Sequence, residues 1–245
     1  MVKVVLGISD THVGSMYGLC MPNMGFVLND VQQFLWDHWV AMCKAIGHVD
    51  CVICDGDMIE GINKKEGAKQ TIPDVMIQVK MAKALLSMID ADKFVFTCGS
   101  PYHVGCNPNA DQMLCEMMGG EYLEEDGNVD VDDIVIHVRH HASYSKNPDG
   151  RYNSQQKDAM IMRLNEDKAD IILRGHTHRF NYSGNIHNIT ISIPCWKSLD
   201  AFMRRSSSEL PDCGYILMKI DGADYSWDQM VFNVPNKLFR KRVRI

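Results

Sequence analysis

The chain has 245 residues, 46% of them hydrophobic and 23% charged, with a formal net charge of −6. That is an ordinary globular composition, long enough for one large core. The acidic balance excludes a chain that coats duplex nucleic acid non-specifically, because that mode needs many Lys and Arg on phosphates. A local basic patch stays open at Arg204-Arg205 and in the C-terminal KLFRKRVRI, for which a solvated tail is the plainer reading.

No internal repeat, low-complexity segment or long linker divides the sequence, so a single domain over residues 1–245 is expected. Residues 2–8 are an apolar, β-branched run that reads as a strand ending at Ser9-Asp10, not as a signal peptide. Nothing approaches the ~20 apolar residues of a membrane span, so no membrane partner is expected. Residues 30–46 carry Val31, Phe34, Leu35, His38 and Met42 near helical spacing. A second buried strand, 50–54, ends at Asp55-Gly56-Asp57. The helix predicted over 73–89 has Pro just inside its start and Thr71 as a cap candidate. Residues 93–98 form a third strand, and 109–118 a short helix stopped by Gly119-Gly120. Strand 134–139 runs into His140-His141, residues 154–166 read as helical, and strand 169–173 precedes Gly175. Short β segments follow at 186–193, 215–220 and 225–234. This order suggests an α/β protein with two packed sheets and helices outside. Most of the nine cysteines sit in apolar settings, the Cys51-Val52-Ile53-Cys54 pair among them inside a strand-like run, which points to reduced thiols in the cytoplasm.

Five of these strands end in polar clusters: SDTH, DGDMIEG, GSPYH, HHAS and GHTH. Open α/β sheets bind ligands at the carboxyl ends of their strands, so the five can converge on one spot. Each cluster alone reads equally well as a turn or a solvated strand end. At GHTH, Gly175 permits a sharp turn that brings His176 and His178 to one side. Carboxylate oxygen and imidazole nitrogen without thiolate suit Mn, Fe, Zn, Ni or Co. The donors outnumber the needs of one ion, and two metals ~3.5–4 Å apart are a common device for displacement at phosphorus.

The series DTH (Asp10, His12), GDMIEG (Gly56, Asp57), GSPYH (Gly99 to His103), HH (His140, His141) and GHTH (Gly175 to His178) resembles the calcineurin-like metallophosphoesterases, whose order is DxH, GDxxD, GNHD/E, a strand-end His, then GHxH. The likeness spans residues 8–180, and GSPYHVG and PCWK look similar to phage and prophage members. It implies a four-layer α/β/β/α sandwich of two mixed sheets flanked by helices, and two divalent metal ions, with manganese expected first. By the same resemblance Asp10, His12 and His178 would hold one metal, Asp57 would bridge, and His176 with a strand-end histidine would hold the other. For that last ligand His140 is favoured, since alternation sets it on the face opposite His137, Arg139 and His141, with His141 as alternate. Ser100 stands where the family has Asn, and His103 follows two residues later than the family's proton donor, with Val104 in place of its acidic partner. Glu60 and Asp111 are candidate outer partners.

The reaction so implied is hydrolysis of a phosphate ester by a metal-bridging hydroxide in line with the leaving group. Asp57 is central to it, and His103 or Arg174 would stabilise developing charge. Tyr102 and Asn107 lie near enough in sequence to touch substrate. Tyr17 and the methionines after His12, and Trp196, Lys197, Arg204 and Arg205, could stack or pair with a nucleotide or single-stranded nucleic acid. A phosphodiesterase or nuclease-like enzyme is the leading expectation. A phosphomonoesterase and a catalytically weak metal-binding scaffold are the alternatives, and the oligomeric state is not readable.

Overall fold

The computed structural model describes residues 1–22, 24–62, 69–106, 109–141, 157, 160, 161, 168–200, 204 and 210–238. The β-branched runs become strands because both their faces are covered. In β1 (Lys3–Ile8), β2 (Val49–Asp55) and β3 (Ala91–Thr97), Leu6, Val52, Cys54 and Phe96 face helices, whereas Val5, Cys51, Ile53 and Val95 face a second sheet. Strands buried on both sides read as continuous apolar runs, not as alternation. The three pair in parallel, joined by the two-residue β4 (Glu121–Tyr122). On the other side of β1 lie the antiparallel β10 (Cys213–Asp221) and then β11 (Asp224–Phe232), completing the order β11-β10-β1-β2-β3-β4.

The second sheet is also mixed, with order β5-β6-β7-β9-β8. It comprises β5 (Asp126–Val131), β6 (Ile134–Arg139), β7 (Ile171–Arg174), β8 (Asn181–Gly184) and β9 (Ile189–Ser192). Ile136, Val138, Ile171, Leu173 and Ile191 press against Val5, Ile53 and Ile216 of the first sheet and form the inter-sheet core. The parallel pairing of β6 with β7 points their carboxyl ends the same way, as in β1 to β3.

Helices α1 (Asp30–Ile46), α2 (Val75–Leu86) and α4 (Ala110–Met118) cover the first sheet with Leu35, Trp39, Val79, Leu85 and Leu114. A capping box starts α1: Asn29 Oδ1 accepts from the Val31 and Gln32 amides, while Gln32 Oε1 accepts from the Asn29 amide. Asp74, not Thr71, caps α2, accepting from the Ile77 amide. Thr71 serves elsewhere, its hydroxyl accepting from Gln32 Nε2.

Two sheets and an outer helical layer match the expected architecture, with differences in detail. The strand predicted over 186–193 is β9, which forms a hairpin with the preceding, unanticipated β8 through a turn at Asn185 to Asn188, where the Asn185 amide donates to the Asn188 carbonyl. Strands β4 and β5 and a four-residue helix, α3 (Pro101–Val104), were not anticipated. The helix expected over 154–166 lies largely outside the described residues, with Asn107, Arg205 and residues 239–245. Among the described residues no helix is long and apolar enough to cross a membrane.

Candidate metal centre

The carboxyl ends of β1, β2, β3, β6 and β7 meet at one place, and the residues there are buried polar groups. Asp10 and His140 are 0% exposed, His12 and Asp57 1%. Asp10 uses one oxygen for structure: Oδ2 accepts from Ser9 Oγ at 2.6 Å and from the His176 amide at 2.9 Å. Its other oxygen, Oδ1, lies 3.1 Å from His178 Nε2, 3.5 Å from His12 Nε2 and 3.9 Å from His140 Nε2. Despite three such neighbours, Oδ1 makes no hydrogen bond among the described residues, and neither does His140 Nε2. The Nε2 atoms of His12 and His178 stand 3.0 Å apart. Buried atoms left without a partner, as Asp10 Oδ1 and His140 Nε2 are among the described residues, are costly and fit a cation placed between them. The donor set is that of a divalent metal site.

The donors divide into overlapping groups whose ligand atoms lie within 4.8 Å of one another: Asp10 with His12 and His178, Asp57 with His140 and His176, and His12 with Asp57 and His103. His176 and His178 thus fall in different groups. Asp57 and His12 each belong to two of these groups, and the group they share includes His103. His140 is aimed inward by its Nδ1–H, which donates to the Asp55 carbonyl at 2.6 Å and leaves Nε2 toward Asp57 Oδ2 at 3.1 Å. His141 is exposed, its ring 4.8 Å from that of His176. Ser100 sits between the two halves of one group: its Oγ is 3.0 Å from Asp57 Oδ2 and 3.1 Å from His176 Nδ1, and its amide donates to Asp57 Oδ1 at 2.7 Å.

Charges tune one another here. Burial would raise the Asp10 carboxyl, but cationic His178 and His140 hold it well below the usual carboxylate range. Burial likewise opposes the charge on His140, yet Asp57 and Asp10 raise its pKa well above the ordinary imidazole value. His103 and His176 go the other way. Burial lowers both to about 4, helped by His12 for His103 and by His140 for His176.

A further ring of groups fixes the ligands. Asp111 accepts from the amides of Asp57, Met58 and Gly99 at 3.0, 3.2 and 3.0 Å, pinning two ligand loops with one side chain. Burial and the Asp57 charge push it up to about 7. Glu60 Oε2 lies 3.0 Å from His12 Nδ1 and 3.0 Å from Lys197 Nζ, and Lys197 in turn pairs with Asp200 at 3.2 Å. Burial alone would raise Glu60, but the Lys197 ammonium and His12 hold it well below the carboxylate range. The Glu60 carbonyl also accepts from His103 Nδ1 at 2.9 Å, so one residue touches both histidines.

The backbone is strained where these groups sit. Seven described non-glycine residues have positive φ, and five of them are Asp10, His12, Asp57, His176 and His178. Such conformations cost free energy and cluster at functional sites. At GHTH the positive φ falls on the histidines themselves. Gly175 is needed for space, because a Cβ there would collide with Ser9 Oγ.

Several sequence expectations are corrected. Trp196 is fully buried against Trp39 and Phe232, with ring centroids 4.9 and 5.6 Å away, so it cannot stack a base. Lys197 is 3% exposed and engaged with two carboxylates, not offered to a phosphate. Arg174 is 1% exposed, its guanidinium donating to the Leu173 carbonyl and facing His137 Nδ1, which removes it from the reacting centre. The loop after His12 packs inward through Leu19 and Cys20, and half-buried Tyr17 accepts from the Ser198 amide through its carbonyl. The Lys197–Asp200 pair was missed because nothing local marks a lysine as buried.

Residues 94–180 match the family described as calcineurin-like phosphoesterase. No curated protein matches the sequence. Among solved structures, a novel archaeal phosphodiesterase is similar at 13% identity and a TM-score of 0.53, over 94% of this chain and 100% of that one. Zinc-complexed Vps29 from Entamoeba histolytica is similar at 14% identity and a TM-score of 0.47, over 94% and 99% of the two chains. A predicted phosphoesterase from Streptococcus pneumoniae is similar at 14% identity and a TM-score of 0.45, over 94% and 90%. At these identities the archaeal structure supports the fold alone.

Proposed function

We propose that this chain, a member of the calcineurin-like metallophosphoesterase superfamily, is a metal-dependent phosphodiesterase built as one domain over residues 1–245. The observation that carries the reading is the convergence of Asp10, His12, Asp57, His140, His176 and His178, with buried atoms of Asp10, His12, His140 and His178 left without hydrogen-bond partners among the described residues. Asp10, His12 and His178 would hold one divalent ion, His140 and His176 the other, with Asp57 between them and Ser100 adding an oxygen beside His176. Manganese suits this hard, mixed oxygen and nitrogen set. Bound there, the ions would lower the pKa of an attacking water and neutralise phosphate oxygens.

The chain's own residues supply the rest. Asp10 and Asp57 are kept ionised, which metal binding requires. Asp111 locks the Asp57 loop, and Glu60 sets His12 so that its Nε2 faces inward. His103 gives its Nδ1–H to the Glu60 carbonyl, leaving Nε2 for substrate. The burial that lowers its pKa to about 4 makes its protonated form a strong but sparse donor to the leaving oxygen. All nine cysteines are free thiols, in keeping with a cytoplasmic setting.

Manganese-loaded protein should hydrolyse bis(4-nitrophenyl) phosphate, and Asp57→Asn should cut kcat/KM by about 1000-fold or more. Turnover of 4-nitrophenyl phosphate alone would replace the diester reading with a monoesterase. Tight manganese binding with no turnover of either ester, or of single-stranded DNA, would leave a metal-binding scaffold.

A further inference from the structure

Beside the metal centre, on the side of His103, a groove of about 610 Å³ opens to solvent. Its walls come from the loop at Ile62, from Val75 and Met76 at the start of α2, from α3 and from Met113 of α4. The volume is that of a site for a small organic ligand, which typically measures ~300–1000 Å³. Among the described residues that line it, none carries a permanent charge. Ile62, Met76 and Tyr102 leave 62, 41 and 43% of their surface in water, a contiguous apolar wall of the kind that marks a binding surface.

His103 ties this groove to the reacting centre. One side chain both lines the groove and places a ring nitrogen within 4.8 Å of ligand atoms on His12 and Asp57. The connection is made by the segment that departs from the family pattern. Ser100-Pro101-Tyr102-His103 folds into α3, with Pro101 at its first position, half-buried His103 turned toward His12 and exposed Tyr102 packed edge-on against His103 at 5.0 Å. The loop at Gly61 packs closely on α3: a Cβ on Gly61, whose φ is 67°, would strike the His103 carbonyl oxygen.

We infer that this groove seats the uncharged aromatic group, a nucleoside or an aryl alcohol, that leaves phosphorus on the His103 side. The inference rests on the phosphodiesterase reading and names the kind of leaving group its substrate carries. Recognition is by apolar contact with Ile62, Met76 and Met113 and by the ring of Tyr102.

The test uses Ile62→Asn/Met76→Gln, neutral polar replacements at exposed positions that leave the charge of the site unaltered. KM for bis(4-nitrophenyl) phosphate should rise about tenfold with kcat within about twofold. Saturation-transfer NMR should show adenosine binding to the metal-free wild-type protein, and the signal should be lost in the double variant and in Tyr102→Ala. An unchanged KM, or an adenosine signal that survives both variants, would overturn the groove assignment. Groove-dependent adenosine binding in a protein that turns over no diester would sink the phosphodiesterase reading while leaving the aromatic site standing.

Discussion

The two ends of the parallel strands treat charge in opposite ways. At the amino ends, Lys3 pairs with Asp50 at 2.7 Å with side chains 40 and 25% exposed, and His48 reaches Asp90 and Asp92 across 3.4 Å in open solvent. At the carboxyl ends, Asp10, Asp57, His12 and His140 are withdrawn from water, and some of their lone pairs meet no proton. Solvated pairs cost little and contribute little, whereas buried charge persists only where something offsets it. Identical residue types therefore carry different meanings at the two ends of one sheet. Function is legible at the end where folding has been made harder.

That contrast can be broken by mutation. The largest effect on stability is expected at Lys197→Met, which leaves Glu60 and Asp200 buried without their shared cation. Urea denaturation should show a loss of about 3–5 kcal/mol. Adding Glu60→Gln should recover part of it, and a loss no larger than that of a surface pair would mean the network is solvated after all. A smaller effect is expected at Ser100→Asn, which restores an amide oxygen beside Asp57 and His176. Manganese retained after dialysis, measured by elemental analysis, should show the weaker-bound ion held about tenfold more tightly. Unchanged affinity would count against Ser100 as a ligand.

The smallest effect belongs to the amino ends. Asp50 has its carboxyl lowered by the hydrogen bond from Lys3 and by the Val4 amide. A depressed carboxyl contributes stability that is present above its unfolded pKa, ~3.9, and is lost as pH falls through the lower folded value. Asp50→Asn should therefore leave the thermal midpoint almost unmoved at pH 7 and remove only a slight pH dependence below about pH 4. A large shift at neutral pH would erase the distinction between the two ends.

Much of this was readable in the sequence because it rests on local chemistry. The β-branched runs that became β1, β2, β3, β6 and β7 needed only apolar content, and the ligand residues stand directly after them. Other features depend on partners distant in sequence. Strand β5, Asp126–Val131, alternates exposed polar with half-buried residues at a sheet edge, so composition hid it. Helix α3 is too short for periodicity to register. Trp196 beside Lys197 resembled a nucleotide-binding surface until Trp39, from α1, was seen packed against it. The burial of Lys197 follows from Glu60, which is remote in the chain.

The pairing of β1 bears on how the protein is made. Although β1 comes first in the chain, it lies inside its sheet with β2 on one side and β10 on the other, Lys3 opposite Ile220. Contacts between positions so far apart form slowly, because the intervening chain must be ordered first. During synthesis β1 keeps one edge unpaired until residues near 220 have left the ribosome, and Asp10 waits for His178. The proposed metal site is therefore completed late, and gain of metal binding would report completion of the fold in a nascent chain.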